Sequence, residues 1–102
     1  MNRLQTPENN EINYLEADIN YTIFHLNDGK KIVSSFTLKK YEGDFRHAGF
    51  LRVHKSFLLN PQYILHCEQI GKKATVELSN GRKVQVSRRK IGLIKEFLDA
   101  NV

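Results

Sequence analysis

The chain has 102 residues, 40% of them hydrophobic, which suffices for one modest core but not for two independent domains. Its apolar runs are short, as in Phe57-Leu58-Leu59, so no transmembrane helix is expected; Met1–Pro7 lacks the apolar segment of a secretory signal; and one cysteine, Cys67, excludes an intrachain disulfide framework or a cysteine-rich zinc site. The formal charge of +5 is unevenly spread: residues 1–28 hold one base and five acids, residues 29–102 hold fifteen bases and six acids, and Arg82–Lys95 holds six bases and no acid. Such a basic surface suits a polyanion, because neutralised phosphates release counterions, although a solvated basic face without a partner has the same composition. The expected compartment is the reducing cytoplasm, with no membrane partner.

Residues 1–10 are polar and include Pro7, which reads as a tail, with the folded domain over 11–102. Ile12 and Tyr14 alternate with polar neighbours and predict a short strand. Tyr21–Leu26 is aromatic and β-branched, Asn27-Asp28-Gly29 favours a tight turn, and Lys31–Phe36 reads as the returning strand. Thr37 can cap a short helix in which Leu38, Tyr41 and Phe45 share a face. Phe50–Val53 reads as a strand and Ser56–Asn60 as a tight apolar connection of one helical turn, stopped by Pro61. Ile64–Ile70 is a predicted strand, broken at Gly71. Ala74, Val76 and Leu78, then Asn80-Gly81, then Val84 and Val86 form a clear hairpin with one apolar and one polar face.

Ser87 is the expected cap of the last helix, whose apolar face carries Ile91, Ile94 and Leu98. Arg88, Arg89 and Lys90 crowd its first turn, the end at which the helix dipole disfavours cations. A phosphate there would be favourable, which makes this local conflict a pointer to an anion site; three solvated side chains are the plainer alternative.

Other constellations are poor. His25, His47, His54 and His66 form no helical pair and have no ligand spacing with Cys67, so neither metal nor cofactor is expected. Glu16 and Asp18 could form an acid/base pair but suit a solvated turn better. Ser56 and Ser87 lack a nucleophile elbow, no glycine-rich phosphate loop is present, and Cys67 reads as an inert strand thiol, so an enzyme is not expected. In Arg52-Val53-His54-Lys55-Ser56 alternation puts Arg52, His54 and Ser56 on one side and Val53 and Lys55 on the other. No helix resembles a helix-turn-helix reader, so loops on a β-scaffold would have to contact DNA.

Several strings resemble the LytTR family of bacterial DNA-binding domains: Ile12-Asn13-Tyr14-Leu15-Glu16-Ala17-Asp18, Asn20-Tyr21-Thr22 and Leu26-Asn27-Asp28-Gly29. Further matches are Phe50-Leu51-Arg52-Val53-His54-Lys55-Ser56-Phe57-Leu58-Leu59-Asn60, Leu78-Ser79-Asn80-Gly81 and Val84-Gln85-Val86-Ser87-Arg88-Arg89. The resemblance spans roughly residues 11–98. It implies a mainly β fold of elongated antiparallel sheets with short helices, including a C-terminal helix. It also implies loops set into successive major grooves of double-stranded DNA, at paired direct repeats, in transcription regulation. Carried onto this chain, it puts base contacts at Asn20, Tyr21, Lys55 and Arg89. Phosphate contacts fall to Arg52, Ser56, Ser87, Arg88 and Lys90. His54 and Asn60 take structural roles.

The family's usual domain has one more strand before the Ile12 string, where this chain has about ten mostly polar residues; either that strand is absent or residues 1–10 supply a degenerate version of it. Many members also carry a receiver domain; none is visible in this sequence, which implies a free-standing regulator or one that responds through a signalling partner, with a homodimer forming on DNA. Outside the resemblance, two other classes stay open. One is an RNA or single-strand binder that stacks bases on Tyr14, Tyr21, Phe24, Phe36 or Tyr63. The other is a protein–protein interaction module that pairs through an open sheet edge.

Overall fold

The computed structural model describes residues 7–100. Among these residues eight strands form two antiparallel sheets. The first sheet contains β1 (Ile12–Asp18), β2 (Tyr21–Leu26), β3 (Lys31–Ser34), β4 (Leu51–His54) and β5 (Phe57–Leu59), in the order β3-β2-β1-β5-β4. The second contains β6 (Ile64–Ile70), β7 (Lys73–Leu78) and β8 (Lys83–Val86), in that order. Helix α1 (Leu38–Asp44) follows β3, and helix α2 (Ile91–Ala100) ends the domain. The molecule is elongated, 49 × 25 × 24 Å. The expected mainly β architecture with a C-terminal helix is the one observed.

Two cores lie on opposite faces of the first sheet. Ile12, Leu15, Phe24 and Leu58 meet Leu38, Tyr41 and Phe45 around α1. Tyr14, Val53 and Leu59 meet Val76, Leu78, Val84 and Val86 of the second sheet and Ile94 of α2. β5 therefore sends Leu58 to one core and Leu59 to the other, both fully buried. Each such side chain contributes about 2 kcal/mol of hydrophobic stabilisation.

This corrects two expectations. Ser56–Asn60 is not a helical turn: Phe57–Leu59 is a strand paired on both sides, with β1 and β4. A strand buried on both faces reads as a continuous apolar run, which periodicity cannot tell from a helical turn. Ile12 and Tyr14 do not share a face either. The register of β1 against β2 shifts between them, and the bulge sends Ile12 to the α1 core and Tyr14 to the other.

The turns follow their residues. Gly29 and Gly81 take φ of 89°, as the Asp28-Gly29 and Asn80-Gly81 turns require. Thr37 caps α1 by accepting from the Lys40 N–H. β3 ends at Ser34, which leaves Phe36 exposed, with the Lys40 ammonium 4.9 Å from its ring centroid.

Asn60 joins distant segments. Its buried amide donates to the carbonyls of Asn9 (2.9 Å) and Ile12 (2.8 Å), and its Oδ1 accepts from the Gln62 N–H (2.9 Å). The Tyr63 hydroxyl donates to the Asn10 carbonyl. Asn9 and Asn10, expected in a polar tail, thus belong to a tied-down turn over Asn9–Glu11. The extra family strand would fall on residues 1–10, of which 1–6 lie outside the described residues.

Asn60→Ala is expected to lower stability by about 2 kcal/mol, because it leaves the Ile12 carbonyl buried without a donor. Asn60→Asp, which cannot donate, should cost as much at neutral pH. Urea denaturation checks both, and an aspartate variant as stable as the parent would refute the donor role.

Candidate nucleic-acid interface

Backbone pairing brings three loops to one end of the first sheet. The β1–β2 tip, Ile19-Asn20, lies beside the β4–β5 turn because β1 pairs antiparallel with β5, Glu16 opposite Phe57, and the Ala17 N–H donates to the Ser56 carbonyl at 2.8 Å. The segment after β8 joins them through the Ser87 N–H, which donates to the Val53 carbonyl at 2.8 Å. Residues separated by as many as seventy positions thereby share one surface.

At the tip, Asp18, Ile19, Asn20 and Tyr21 are all exposed. Ile19 has φ of 56°, the only left-handed non-glycine among the described residues, and is 90% exposed. In the β4–β5 turn Lys55 is exposed and has no side-chain partner among the described residues, while Val53 points the other way into the core. The Ser56 N–H donates to Nδ1 of His54 at 3.1 Å. His54 is thus bonded to backbone, as expected, but it is half-buried rather than enclosed.

Arg88–Lys90 is a 3₁₀ turn of its own that leads into α2 at Ile91. The expected cap is absent: the Ser87 hydroxyl accepts no N–H of the turn, and the Ser87 carbonyl instead accepts from the Lys90 N–H at 2.9 Å. Arg88 and Arg89 are exposed and Lys90 half-buried, and none has a side-chain partner among the described residues.

Between the β4–β5 turn and this segment runs a groove of about 430 Å³, lined by Arg52, His54, Lys55, Ser87, Arg89 and Lys90, with Glu42 as its one acid. Across His54 and Ser87 a second groove of about 380 Å³ is lined by Lys72, Lys73 and Arg88. Lys72 and Lys73 were not singled out from the sequence. Their place at the β6–β7 turn, Lys72 within it and Lys73 at the start of β7, was the available signal, but nothing local ties that turn to Arg88.

Arg52 is held differently from the other bases of the groove. Alternation puts it on one side of the strand with Ser56, and the family resemblance implies a phosphate contact. It does face away from Val53, but its guanidinium is turned inward. Nη1 donates to Glu42 Oε1 (2.7 Å), Nε to the His54 carbonyl (2.9 Å) and Nη2 to the Lys55 carbonyl (2.6 Å). Three of its donors are satisfied within the chain: two by carbonyls of its own turn, and one by Glu42, which α1 brings within reach by packing on this face.

The remaining candidates separate by burial. Tyr14 and Phe24 are core residues, so they offer no stacking platform; Tyr21 and Phe36 are exposed. Glu16 does not pair with Asp18; its Oε1 meets Nε2 of His25 at 2.9 Å, and the His25 ring stacks on Tyr14, centroids 4.2 Å apart. Cys67 is half-buried, and burial pushes its thiol pKa up, away from the reactive thiolate. Among the described residues no three His, Cys, Asp or Glu side chains cluster as metal ligands, and no helix is long and apolar enough to cross a membrane.

The model of the LytTr DNA-binding domain matches residues 3–99. The chain belongs to the LytTR family. DNA binding in transcription regulation is the role that goes with this membership. A solved LytTr DNA-binding domain from Bacillus cereus, described as part of a methyl-accepting/DNA response regulator, superposes with a TM-score of 0.78 at 22% identity, covering 88% of this chain and 83% of that one. At this identity the likeness is one of fold. No curated protein matches.

Burial lowers the pKa of His25 below its ordinary value, against the opposing pull of Glu16. The folded protein therefore binds this proton less readily than the unfolded chain, and stability is lost as pH falls through the ordinary histidine range. Thermal midpoints should drop between about pH 7 and pH 5. His25→Phe keeps the ring stack and should flatten that drop; an unchanged profile would show that His25 is not its source.

Proposed function

We propose that this domain binds specific double-stranded sites and regulates transcription through three loops that enter successive major grooves. The observation that carries the reading is the convergence of the Ile19-Asn20 tip, the Lys55 turn and the Arg88–Lys90 turn on one end of the first sheet. Elongation supports it as well: 49 Å exceeds the roughly 34 Å of one DNA turn, so one face of the duplex can present more than one groove to the molecule.

In this reading Asn20 and Tyr21 at the tip, Lys55, and Arg89 contact bases. Lysine and arginine suit the guanine acceptors and asparagine suits adenine. Ser56, Ser87, Arg88 and Lys90 contact phosphate and set the register, and Lys72 and Lys73 extend that footprint. The binding site is a paired direct repeat, occupied by two copies side by side, and the protein acts in the cytoplasm in response to a signalling partner.

Selection from a random duplex library tests the reading, followed by titration of the winner and a scrambled duplex at two salt concentrations. A repeated motif bound well above the scramble supports it. Equal binding to both, lost with salt, would leave only a basic surface, and preference for single strands would turn it into a stacking protein. Lys55→Ala and Arg89→Ala are expected to weaken the selected site by about 1–3 kcal/mol and the scramble much less. Arg88→Ala should weaken both alike and lower the salt dependence by about one phosphate.

A further inference from the structure

We propose that Arg52 and Glu42 form a latch that holds the β4–β5 turn, so that Arg52 governs sequence preference without touching DNA. The proposal rests on the reading of Lys55 as a base contact. The carbonyls of three consecutive residues in this turn accept from fixed donors: His54 and Lys55 from the Arg52 guanidinium, and Ser56 from the Ala17 N–H of β1. The Ser56 N–H is held by the His54 ring. The backbone on both sides of Lys55 is thus tied to the sheet, and only its side chain is free to reach outward.

Glu42 orients the fork. Its carboxylate meets Nη1 at 2.7 Å from α1, with Arg52 19% and Glu42 35% exposed. α1 is itself seated on the sheet by Leu38, Tyr41 and Phe45. A carboxylate in a basic groove opposes phosphate binding, so its presence there makes sense if it serves position rather than affinity. Lysine cannot replace this arginine, because one ammonium cannot reproduce a planar fork aimed at three acceptors. A turn set before binding loses less conformational freedom when the complex forms.

The two roles of Arg52 predict opposite outcomes. If it is a latch, Glu42→Ala weakens the selected site by about tenfold, the scale of one lost base contact, even though the variant is more positive. Arg52→Lys does the same while keeping the charge, and neither changes the salt dependence. In a Lys55→Ala chain, Glu42→Ala has no further effect on preference. Thermal unfolding verifies that each variant is folded, and the ratio of selected to scrambled affinity is a readout that loss of stability alone would not move. If Arg52 instead bound phosphate, Glu42→Ala would strengthen binding to every duplex, and Arg52→Lys would be nearly neutral; either result overturns the latch. Lys55→Ala without effect would overturn the base-contact reading itself, which separates the two failures.

A separate observation concerns the tip. A β-branched residue in left-handed backbone is strained, and an isoleucine that is 90% exposed has no core contact to compensate. Resting on the reading of this tip as a loop in the major groove, we infer that Ile19 meets a thymine methyl, the one apolar group on a base edge there. Replacing each thymine of the selected site by deoxyuridine removes only that methyl. The parent should lose about fourfold in affinity at one such position, the value of one buried methyl group. Ile19→Gly, which accepts this φ without strain, should bind the site more weakly and be indifferent to the swap. Uniform insensitivity in the parent, or retained sensitivity in the variant, would overturn the inference.

Discussion

The constraint on which the molecule depends is that β1 is paired along both edges. β2 lies on one side and β5 on the other, so the direction of β1 sets which turns emerge at which end. Its Asp18 end carries the β1–β2 tip and, through the Ala17–Ser56 hydrogen bond, the β4–β5 turn. Its other end is closed by Asn60, whose amide caps the Asn9 and Ile12 carbonyls, and by Asn13, whose amide donates to Asn27 and to Ser79 in the β7–β8 turn. One end of the strand is cross-linked by buried polar groups. The other ends in loops whose side chains face solvent.

The bulge in β1 makes the two-sided arrangement workable. Without it, Ile12 and Tyr14 would compete for one face. With it, Ile12 joins Leu15 under α1, and Tyr14 turns to the second sheet, where His25 stacks on it and the Arg82 guanidinium lies 5.7 Å from its ring centroid. Each layer then contributes something to the interface. α1 supplies Glu42, the second sheet supplies Lys72 and Lys73, and the β8–α2 connection supplies Arg88–Lys90.

Charge alone does not define this interface. Arg52 and Arg89 line the same groove and would look alike in any sum over residues. One has its guanidinium committed to a carboxylate and two carbonyls, and the other has no partner among the described residues. The difference follows from side-chain direction: Arg52 leaves the sheet on the face covered by α1, whereas Arg89 sits in a short turn beyond any strand. An arginine that lines a basic groove can thus be committed to the backbone of its own turn rather than left free.

Local chemistry was legible in the sequence. Asp28-Gly29 and Asn80-Gly81 marked the hairpins because their turns need glycine in left-handed backbone, Thr37 marked a helix start, and alternation from Ala74 to Val86 separated core from solvent. The bases from Arg88 to Lys90 stood out because they sit where a helix start disfavours them. Features that depend on contacts between distant segments were not legible. β5 was hidden because burial on both faces erases periodicity, and the bulge was hidden because one extra residue leaves no local mark. The pairing of Arg52 with Glu42 needed α1 to be docked, and the place of Lys72 and Lys73 beside Arg88 needed the second sheet to be packed. The sequence by itself determined the turns, the apolar faces and the basic segments, since each depends on residues a few positions apart. Tertiary structure alone decided which of those segments share a surface and which charges remain free, because both depend on packing between residues far apart in the chain.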